Sequence, residues 1–324
     1  MSNVSQINTD ILIVGAGMAG LLAATDLQVS GFQPLVVDKG RGVGGRLSTR
    51  RIGSAAFDHG AQFITARTLR FESLLEEWRG LGLLTEWYRG GDDDHIRWRG
   101  VPSMTAVPKH LAKSLNVRLE MKMTALKQKS SRWLAIFENG ETIAANAVLL
   151  TAPVPQSLAL LDAGGVALEA SMREQLEAVE YEACMAVMAV PKGGSNIPQP
   201  GFVRPASGPV ALIADNQMKG VSTSPAVTVH ATPAYSSTHW DLDRREIGRD
   251  LLAVAAPWLG SEIVEFQVHA WRYARPRHAQ DHPCLILNQT HPLLMAGDAF
   301  GGPRVEGAVL SGWAAAEALK ELPQ

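Results

Sequence analysis

The hexapeptide at residues 15–20, GAGMAG, constrains the fold of this chain more than any other feature. A strand-like apolar run precedes it at residues 10–14, and a helix-like run rich in alanine and leucine follows at residues 21–29. A second strand-like run occupies residues 34–37. A glycine turn between a strand and a helix lets a pyrophosphate approach the backbone at the positive end of the helix. We therefore predict an α/β fold that binds a dinucleotide.

Two later features indicate which dinucleotide this is. Asp38 follows the second strand-like run, at the spacing where an acid accepts hydrogen bonds from ribose hydroxyls. Gly44 and Gly45 then carry Arg46, whose guanidinium can fold over the pyrophosphate. NAD-dependent dehydrogenases do not need such an arginine, so the pattern favours FAD. Residues 58–63, DHGAQF, follow at once, which disfavours an ordinary basic loop.

The composition excludes several classes of protein. The chain has 324 residues, 46% of them hydrophobic and 19% charged, and a chain of this length usually forms two domains. Its net charge of −2, without a basic block, lacks the electrostatic footprint for a nucleic acid or an anionic membrane. The first ten residues lack a signal-peptide pattern, and glycines break the apolar run at residues 11–24. Cys184 and Cys284 are expected to be free thiols in a cytoplasmic protein.

Strand-like and helix-like segments continue along the rest of the chain. Strands are predicted at residues 117–123, 133–137, 147–150, 184–190, 226–231 and 293–296, and helices at residues 243–255 and about 307–319. Pro153 and Pro155 suggest a crossover between domains. The predicted FAD-binding domain comprises residues 1–66, 105–160 and 285–324, and the predicted substrate domain comprises residues 67–104 and 161–284.

Together these motifs resemble the flavin-dependent amine oxidase superfamily and, within it, the renalase-like branch. The matching pieces are GAGMAG, DKGRGVGGR, DHGAQF, LLTAPVPQ and AGDAFGGPRVEGAVLSGWAAAEAL, in the family's order. The resemblance implies an α/β fold with a Rossmann-type FAD-binding domain and a second, mixed-sheet substrate domain, as in amine oxidases and p-hydroxybenzoate hydroxylase. It also implies noncovalent FAD, because Cys284, in DHPCLI, lacks the glycine-rich setting of the cysteine that carries FAD in some members.

The resemblance further implies which residues hold FAD. Asp298 would bind the ribityl and phosphate part, residues 305–307 would pass along the pyrimidine side of the flavin, and a strand ending near Met123 would contact the adenine. The last helix would point its positive end at the flavin, where negative charge accumulates on reduction. The candidate cofactor-binding residues are Gly15, Ala16, Gly17, Met18, Ala19, Gly20, Asp38, Lys39, Gly44, Gly45, Arg46, His59, Gly60, Ala61, Gln62, Met123, Thr151, Ala152, Pro153, Gly297, Asp298, Arg304, Val305, Glu306 and Ala308.

Two departures from the family argue against a true amine oxidase. Two positions before the glutamate of the last motif, amine oxidases of this family have a tyrosine that forms one wall of an aromatic cage. This chain has Arg304 there, and a fixed cation is a poor neighbour for an amine. Those enzymes also share a substrate-domain lysine that reaches the flavin through water, and the corresponding residues 174–191 contain no lysine.

The renalase-like branch implies a specific reaction. Its members are thought to oxidise isomeric dihydro forms of NAD(P), passing a hydride to flavin N5 and then electrons to O2, which yields NAD(P)+ and hydrogen peroxide. A dihydropyridine needs little acid–base machinery, because it can release a hydride without first losing a proton. Candidates for holding the nicotinamide are His59, Gln62, His230, Trp271, Arg272, Tyr273 and Arg304, with Phe63 beside them.

Alternative interpretations remain open at this point. His230 and Trp271 can be structural residues, whereas Arg272, between two aromatic residues, favours a planar partner. An amine oxidase or desaturase is favoured if the pocket has aromatic walls and no cation. A flavin-binding redox sensor without turnover is a further possibility.

Overall fold

The computed structural model describes residues 7–90 and 94–322. Its strands are β1 (Ile7–Val14), β2 (Leu35–Val37), β3 (Thr49–Ile52), β4 (Ala55–Asp58), β5 (Leu84–Arg89), β6 (Ile96–Gly100), β7 (Asn116–Arg118), β8 (Met123–Lys129), β9 (Arg132–Phe137), β10 (Thr142–Leu150), β11 (Tyr181–Pro191), β12 (Phe202–Val203), β13 (Val210–Asp215), β14 (Val227–Ala231), β15 (Ile263–Pro276), β16 (Leu285–Asn288) and β17 (Leu293–Met295). Its helices are α1 (Met18–Val29), α2 (Leu69–Gly80), α3 (Ala106–Ala112), α4 (Val154–Gly164), α5 (Ala170–Glu177), α6 (Pro233–Thr238), α7 (Arg244–Leu259), α8 (Asp298–Gly301) and α9 (Val305–Glu321).

The chain folds into two compact units. The first unit contains Met1–Gly45, Pro108–Glu180 and Pro276–Gln324, and the second contains Arg46–Val107 and Tyr181–Arg275. These boundaries differ from the predicted domains. Residues 46–66 and 105–107 lie in the second unit, whereas residues 161–180 and 276–284 lie in the first.

The first unit is built on a sheet with a parallel centre. Its strand order is β16-β17-β10-β1-β2-β7, and β8 and β9 extend it through a pairing of β9 with β10. Strand β1 lies parallel to both β2 and β10. Ile11, Leu12 and Ile13 are fully buried, as expected for a strand covered on both faces. The predicted strand–turn–helix–strand unit is thus present as β1, α1 and β2.

The last helix packs directly against the first one. A Cβ atom at Gly312 in α9 would lie 2.3 Å from the carbonyl oxygen of Ala19 in α1, so only glycine allows this approach. The ammonium of Lys320 in α9 donates to Asp26 in α1 at 2.7 Å. Helices α1 and α9, far apart in the sequence, therefore pack together in this unit.

The second unit contains a five-stranded sheet that packs against the long helix α7, together with the two-stranded sheets β3-β4 and β5-β6. The strand order of the five-stranded sheet is β12-β13-β14-β11-β15. Helix α7 begins where Asp243 accepts hydrogen bonds from the backbone N–H groups of Arg245 and Glu246, and its buried face carries Ile247 and Leu251. This mixed α/β unit confirms the predicted fold class.

Two details of the predicted secondary structure are wrong. Residues 117–123 are not one strand, because Glu120 adopts a left-handed φ of +59° and separates β7 from β8. Pro153 and Pro155 do not mark a crossover, because residues 108–180 all lie in the first unit; they begin helix α4, where proline is tolerated. Within the described part of the chain, no helix has the length and apolarity needed to cross a membrane.

Candidate cofactor and substrate sites

The glycine turn between β1 and α1 leaves open space against its backbone. Gly17 is the N-cap residue of α1 without a side-chain cap, and a Cβ atom added to it would meet no atom within 4 Å. Gly15 adopts a φ of +117°, and a Cβ atom at Gly20 would lie 2.0 Å from the carbonyl oxygen of Gly15. The first N–H groups of a helix have no intrahelical partner. This turn therefore offers backbone donors to a phosphate group.

Asp38 joins the end of β2 to this turn. Its carboxylate accepts hydrogen bonds from the backbone N–H of Ala16 at 2.7 Å and of Gly40 at 2.6 Å. Each carboxylate oxygen can accept a further bond, so a ribose diol can still be held there. The N–H of Gly44 donates to the carbonyl of Ala16 at 2.8 Å, and a Cβ atom at Gly45 would lie 3.5 Å from Gly17.

The predicted residues at the end of β10 support the same turn. The Thr151 hydroxyl donates to the carbonyl oxygens of Val14 at 3.0 Å and Gly15 at 3.1 Å. Ala152 and Pro153 lead into α4, whose Gln156 accepts a hydrogen bond from Lys39 at 3.0 Å. Met18 and Ala19 are buried in α1, while Met123 begins β8 rather than ending a strand.

The return segment near the C-terminus holds a buried acid. Gly297 has a φ of +139° and donates its N–H to the Ser311 hydroxyl at 2.7 Å, which joins the end of β17 to α9. Asp298 follows as the first residue of α8 and is 7% exposed. Close contact between α8 and α9 requires glycine, because a Cβ atom at Gly301 would lie 1.9 Å from the carbonyl of Gly307.

Helix α9 begins two residues earlier than predicted, at Val305. Arg304 is its N-cap residue and is exposed, and its carbonyl accepts the N–H of Ala308 at 3.1 Å. Glu306, in the first turn, is 4% exposed. The first unit thus combines an open glycine turn, an acid after β2 and a second helix N-terminus, and this combination fits FAD.

Arg46, predicted to contact the pyrophosphate, belongs to the second unit. Its guanidinium donates to the carbonyl oxygens of Tyr273 at 3.3 Å and Ala274 at 3.2 Å, near the end of β15. Its own carbonyl accepts the N–H of Ala61 at 2.9 Å. A Cβ atom at Gly60 would lie 2.0 Å from that carbonyl, so glycine is required at this position.

His59, in the same turn, lies in a group of aromatic side chains. Its ring stacks on Trp271 at 5.3 Å between centroids and meets the edge of His269 at 5.1 Å. Its carbonyl oxygen accepts hydrogen bonds from Trp271 Nε1 and from His230 Nε2, each at 3.0 Å. His230 and Trp271 therefore hold the turn in place, and Ser48 lies 3.2 Å from His59 Nε2.

Burial keeps these histidines neutral. Burial, with a smaller contribution from His269, lowers the pKa of His59 to about 3. Burial also lowers the pKa of His230 and of His269 to about 4. At neutral pH all three are uncharged imidazoles.

A buried ion pair lies beside the same turn. Lys219 Nζ is 2.9 Å from Asp58 Oδ2, and the side chains of both residues are completely buried. Lys219 Nζ is also 3.4 Å from the Gln62 side-chain oxygen, and Gln62 donates to the Asp58 carbonyl at 2.7 Å. Burial lowers the pKa of Lys219, while Asp58 raises it. Residues 174–191 contain no lysine, but the second unit still has a buried lysine, Lys219.

Four rings form what we call the aromatic cluster: Phe63, Trp87, Tyr88 and Phe202. Their centroids lie 5.1–6.4 Å apart.

Cations contact the faces of three of these rings. Lys219 Nζ lies 4.9 Å from the Trp87 centroid, and the guanidinium carbons of Arg97 and Arg204 lie 5.4 Å from Phe63 and 5.2 Å from Phe202. All three distances are within the range of cation–π attraction. The cluster therefore has aromatic walls with cations against them.

The remaining candidates on β15 divide between its two faces. Successive residues of a strand point to opposite sides, so Trp271 and Tyr273 share a face and Arg272 lies on the other. The planar partner of Arg272 is the ring of Trp240, 4.8 Å away, and the ring of Tyr273 meets that of Tyr181 at 5.3 Å. Of the predicted substrate residues, the second unit brings together His59, Gln62, His230 and Trp271.

Sequence reasoning missed several residues of this region. Lys219 lies in a polar turn, DNQMKG, with no signal for burial. Arg97 lies in the short basic segment IRWRG, and Arg204 is a single cation in GFVRPASG. Trp87 and Tyr88 stand together in EWYRG, which was a visible but unspecific signal.

Comparisons with known proteins agree with the geometry. Residues 13–78 match the family described as an NAD(P)-binding Rossmann-like domain, and residues 76–320 match the family of flavin containing amine oxidoreductases. Renalase from Mus musculus is 26% identical, with 96% of this chain and 98% of that protein covered. Putrescine oxidase from Kocuria rosea is 32% identical over 30% of this chain and 20% of its own length.

Solved structures show the same fold. Wild-type putrescine oxidase bound to putrescine superposes with a TM-score of 0.74 at 17% identity, covering 98% of this chain and all of that one. Family membership confirms the prediction of an enzyme, an FAD-dependent oxidoreductase. The chain belongs to the flavin-containing amine oxidoreductases and is renalase-like within that superfamily.

Proposed function

We propose that this chain is an oxidase of isomeric dihydro forms of NAD(P), in which the hydride stands at the wrong carbon of the nicotinamide ring. The ring carbon gives up a hydride with its electron pair, and NAD(P)+ is released. Bound FAD would supply the electron acceptor, and O2 would finally take both electrons, together with the proton of the hydride and one proton from solvent, to become hydrogen peroxide. The observation that carries this proposal is the set of cations on the aromatic cluster.

The electrostatics of the second unit disfavour an amine substrate. Two like charges about 4 Å apart repel by about 4 kcal/mol at an effective dielectric constant of about 20. Asp58 balances Lys219, but Arg204 is exposed and makes no ion pair among the described residues. A protonated amine would therefore meet positive charge at the rings that would otherwise attract it. The dihydronicotinamide ring of the proposed substrate is neutral, and the phosphates of the same dinucleotide are attracted by these cations.

The titration state of the histidines also supports a hydride donor. His59 and His230 are neutral at the pH of most assays, because their pKa values are about 3 and 4. Oxidation of a dihydropyridine needs positioning rather than proton removal. We assign His59, Gln62, His230 and Trp271 to the wall that positions the ring.

We also propose which unit binds FAD and which binds the substrate. In the first unit, the glycine turn, Asp38, Thr151 and Asp298 would hold FAD, and the Arg46 guanidinium would contact the pyrophosphate. The second unit would bind the substrate. Arg304, exposed at the N-terminus of α9, would repel amines.

The test is anaerobic bleaching of the flavin by a panel of reductants. The isomeric dihydro-NAD(P) species should bleach it within or soon after the mixing time, and amines should not. Ordinary NADH should be slow, because misplacement by about 1 Å can cost on the order of a hundredfold in rate. Arg304→Tyr should impair the dihydronicotinamide reaction and leave FAD content unchanged. Faster turnover of primary or secondary amines by the wild-type protein would refute the proposal.

Amine oxidation is the second candidate. The aromatic cluster and the partial identity with putrescine oxidase favour it. The same panel decides between the two functions, because it contains both classes of reductant.

A further inference from the structure

Two guanidinium groups lie over the two rings of the aromatic cluster, Phe63 and Phe202, that neighbour Tyr88. Tyr88 on β5 and Arg97 on β6 are directly paired across the two strands, and the Arg97 guanidinium lies over Phe63, whose ring is 6.3 Å from that of Tyr88. Arg204 follows β12 and lies over Phe202, whose ring is 5.7 Å from that of Tyr88. Three separate segments of the second unit thus bring these side chains together.

The electrostatics around Tyr88 identify positive charge on two sides. Burial raises the pKa of Tyr88, while Arg97 and Arg204 lower it, so both guanidiniums are close enough to act on the hydroxyl. Arg204 also contributes, as the smallest of several causes, to the lowered pKa of His230. Arg204 is exposed, and within residues 7–90 and 94–322 no carboxylate pairs with it.

This arrangement suits a phosphate group. Guanidinium groups present planar forks of N–H donors that match phosphate oxygens in pairs, and a phenol O–H can add another donor. The rings of Phe63 and Phe202 hold both guanidiniums by cation–π contact, which reduces the conformational entropy lost on binding.

We propose that Tyr88, Arg97 and Arg204 form a phosphate-binding subsite that recognises the pyrophosphate or nucleoside phosphate of the substrate. This proposal rests on the proposed function, because it assigns these residues to the dinucleotide part of a dihydro-NAD(P) molecule. It makes the phosphates, rather than the nicotinamide ring alone, a determinant of specificity.

The experiment compares two substrates in the FAD-loaded enzyme. One is the isomeric dihydro-NAD mixture, and the other is the corresponding isomeric dihydro form of N-methylnicotinamide, which has the ring but no phosphate. Arg204→Gln should raise KM for the dinucleotide by about tenfold, as expected for one charged hydrogen bond. It should leave kcat and the KM of the phosphate-free compound within about twofold.

Arg244→Gln is the matched control. Arg244 also lies over an aromatic ring, Trp240, at 5.3 Å, but on helix α7 rather than at the cluster. It should leave KM unchanged for both substrates. Tyr88→Phe should reproduce part of the effect of Arg204→Gln without unfolding the protein, because it removes only a hydroxyl group.

The outcomes separate this proposal from the proposed function. If both dihydronicotinamides bleach the flavin and Arg204→Gln changes neither KM, or changes both equally, the phosphate subsite is wrong and the function stands. If neither compound bleaches the flavin, the proposed function fails. Calorimetric titration of the same proteins with ADP-ribose checks the subsite without turnover: loss of affinity in Arg204→Gln supports it, and equal affinity overturns it. Inorganic phosphate, titrated in parallel, shows whether a free anion binds there with the same dependence on Arg204.

Discussion

Removal of the Lys219 ammonium should destabilise the second unit severely. In Lys219→Met the side chain keeps a similar length and apolar character but loses its charge. Asp58 would remain completely buried, with Oδ2 deprived of its partner at 2.9 Å. Its other oxygen would keep the hydrogen bonds from the Thr49 hydroxyl at 2.6 Å and the Met104 N–H at 3.2 Å.

The magnitude follows from the burial of this pair. Removing one partner of a buried ion pair costs about 3–5 kcal/mol, because an uncompensated charge stays in the protein interior. For a domain of 150–250 residues, 1 kcal/mol lowers the melting temperature by about 2–4 °C, so the expected shift is about 6–20 °C. Methionine fills most of the lysine volume, and the cavity contribution is therefore small.

The assay is thermal unfolding with FAD in fixed excess, because bound cofactor also stabilises the folded protein. Lys122→Met is the matched control: Lys122 pairs with Glu138 at 2.6 Å, but both side chains are more than half exposed. Such a surface pair contributes about 0–1 kcal/mol. The double variant Asp58→Asn, Lys219→Met should be more stable than Lys219→Met alone, since it removes both charges. The reasoning is refuted if Lys219→Met and Lys122→Met unfold at the same temperature.

Four further predictions concern pH and the flavin. The pKa of His59 falls from its ordinary 6.5 to about 3 on folding, so below pH 6.5 the unfolded chain binds a proton that the folded chain does not. Stability should therefore fall as the pH drops from about 6.5, by up to about 2 kcal/mol at pH 5 for this residue, and less steeply in His59→Gln; equal slopes would contradict this. Asp38→Ala and Arg46→Ala should each weaken FAD retention, by about 1.5–3 kcal/mol per charged hydrogen bond, and unchanged affinity in both would mean that the fingerprint was misread. Truncation before Asp298 should abolish flavin binding, because α1 loses its contact with α9. Acid denaturation of the intact protein should release free FAD. Colour that stays with the denatured chain would contradict noncovalent binding.

The local elements of the fold could be predicted because their causes are local. Continuous apolar runs become β1 and β10, and alternation of burial along β9 follows its alternating sequence. Glycine is required at residue 60 for a reason that the local sequence does not show. The backbone of Arg46, fourteen positions earlier, passes within reach of any Cβ atom there.

The sequence by itself determined the dinucleotide turn, the acid after β2, the family and therefore FAD. These features are motifs whose residues lie close together along the chain, and few other structures have residues at this spacing. It could not assign partners across long separations. Glu120 shows the same limit on a small scale, since an ordinary residue with a φ of +59° ends β7 inside a run that reads as one strand.

Only the tertiary structure decided the character of the candidate substrate site. Lys219 meets Asp58 across 161 positions, and Trp271 meets His59 across 212. Arg97 lies on β6 and Arg204 follows β12, so they reach the aromatic cluster from different segments. The charge and shape of such a site depend on which distant segments the sheet places side by side, and sheet pairing is a property of the whole unit. The local sequence around Lys219 would be the same whether its side chain were exposed in a polar turn or buried against a carboxylate. Only the surrounding fold decides between the two.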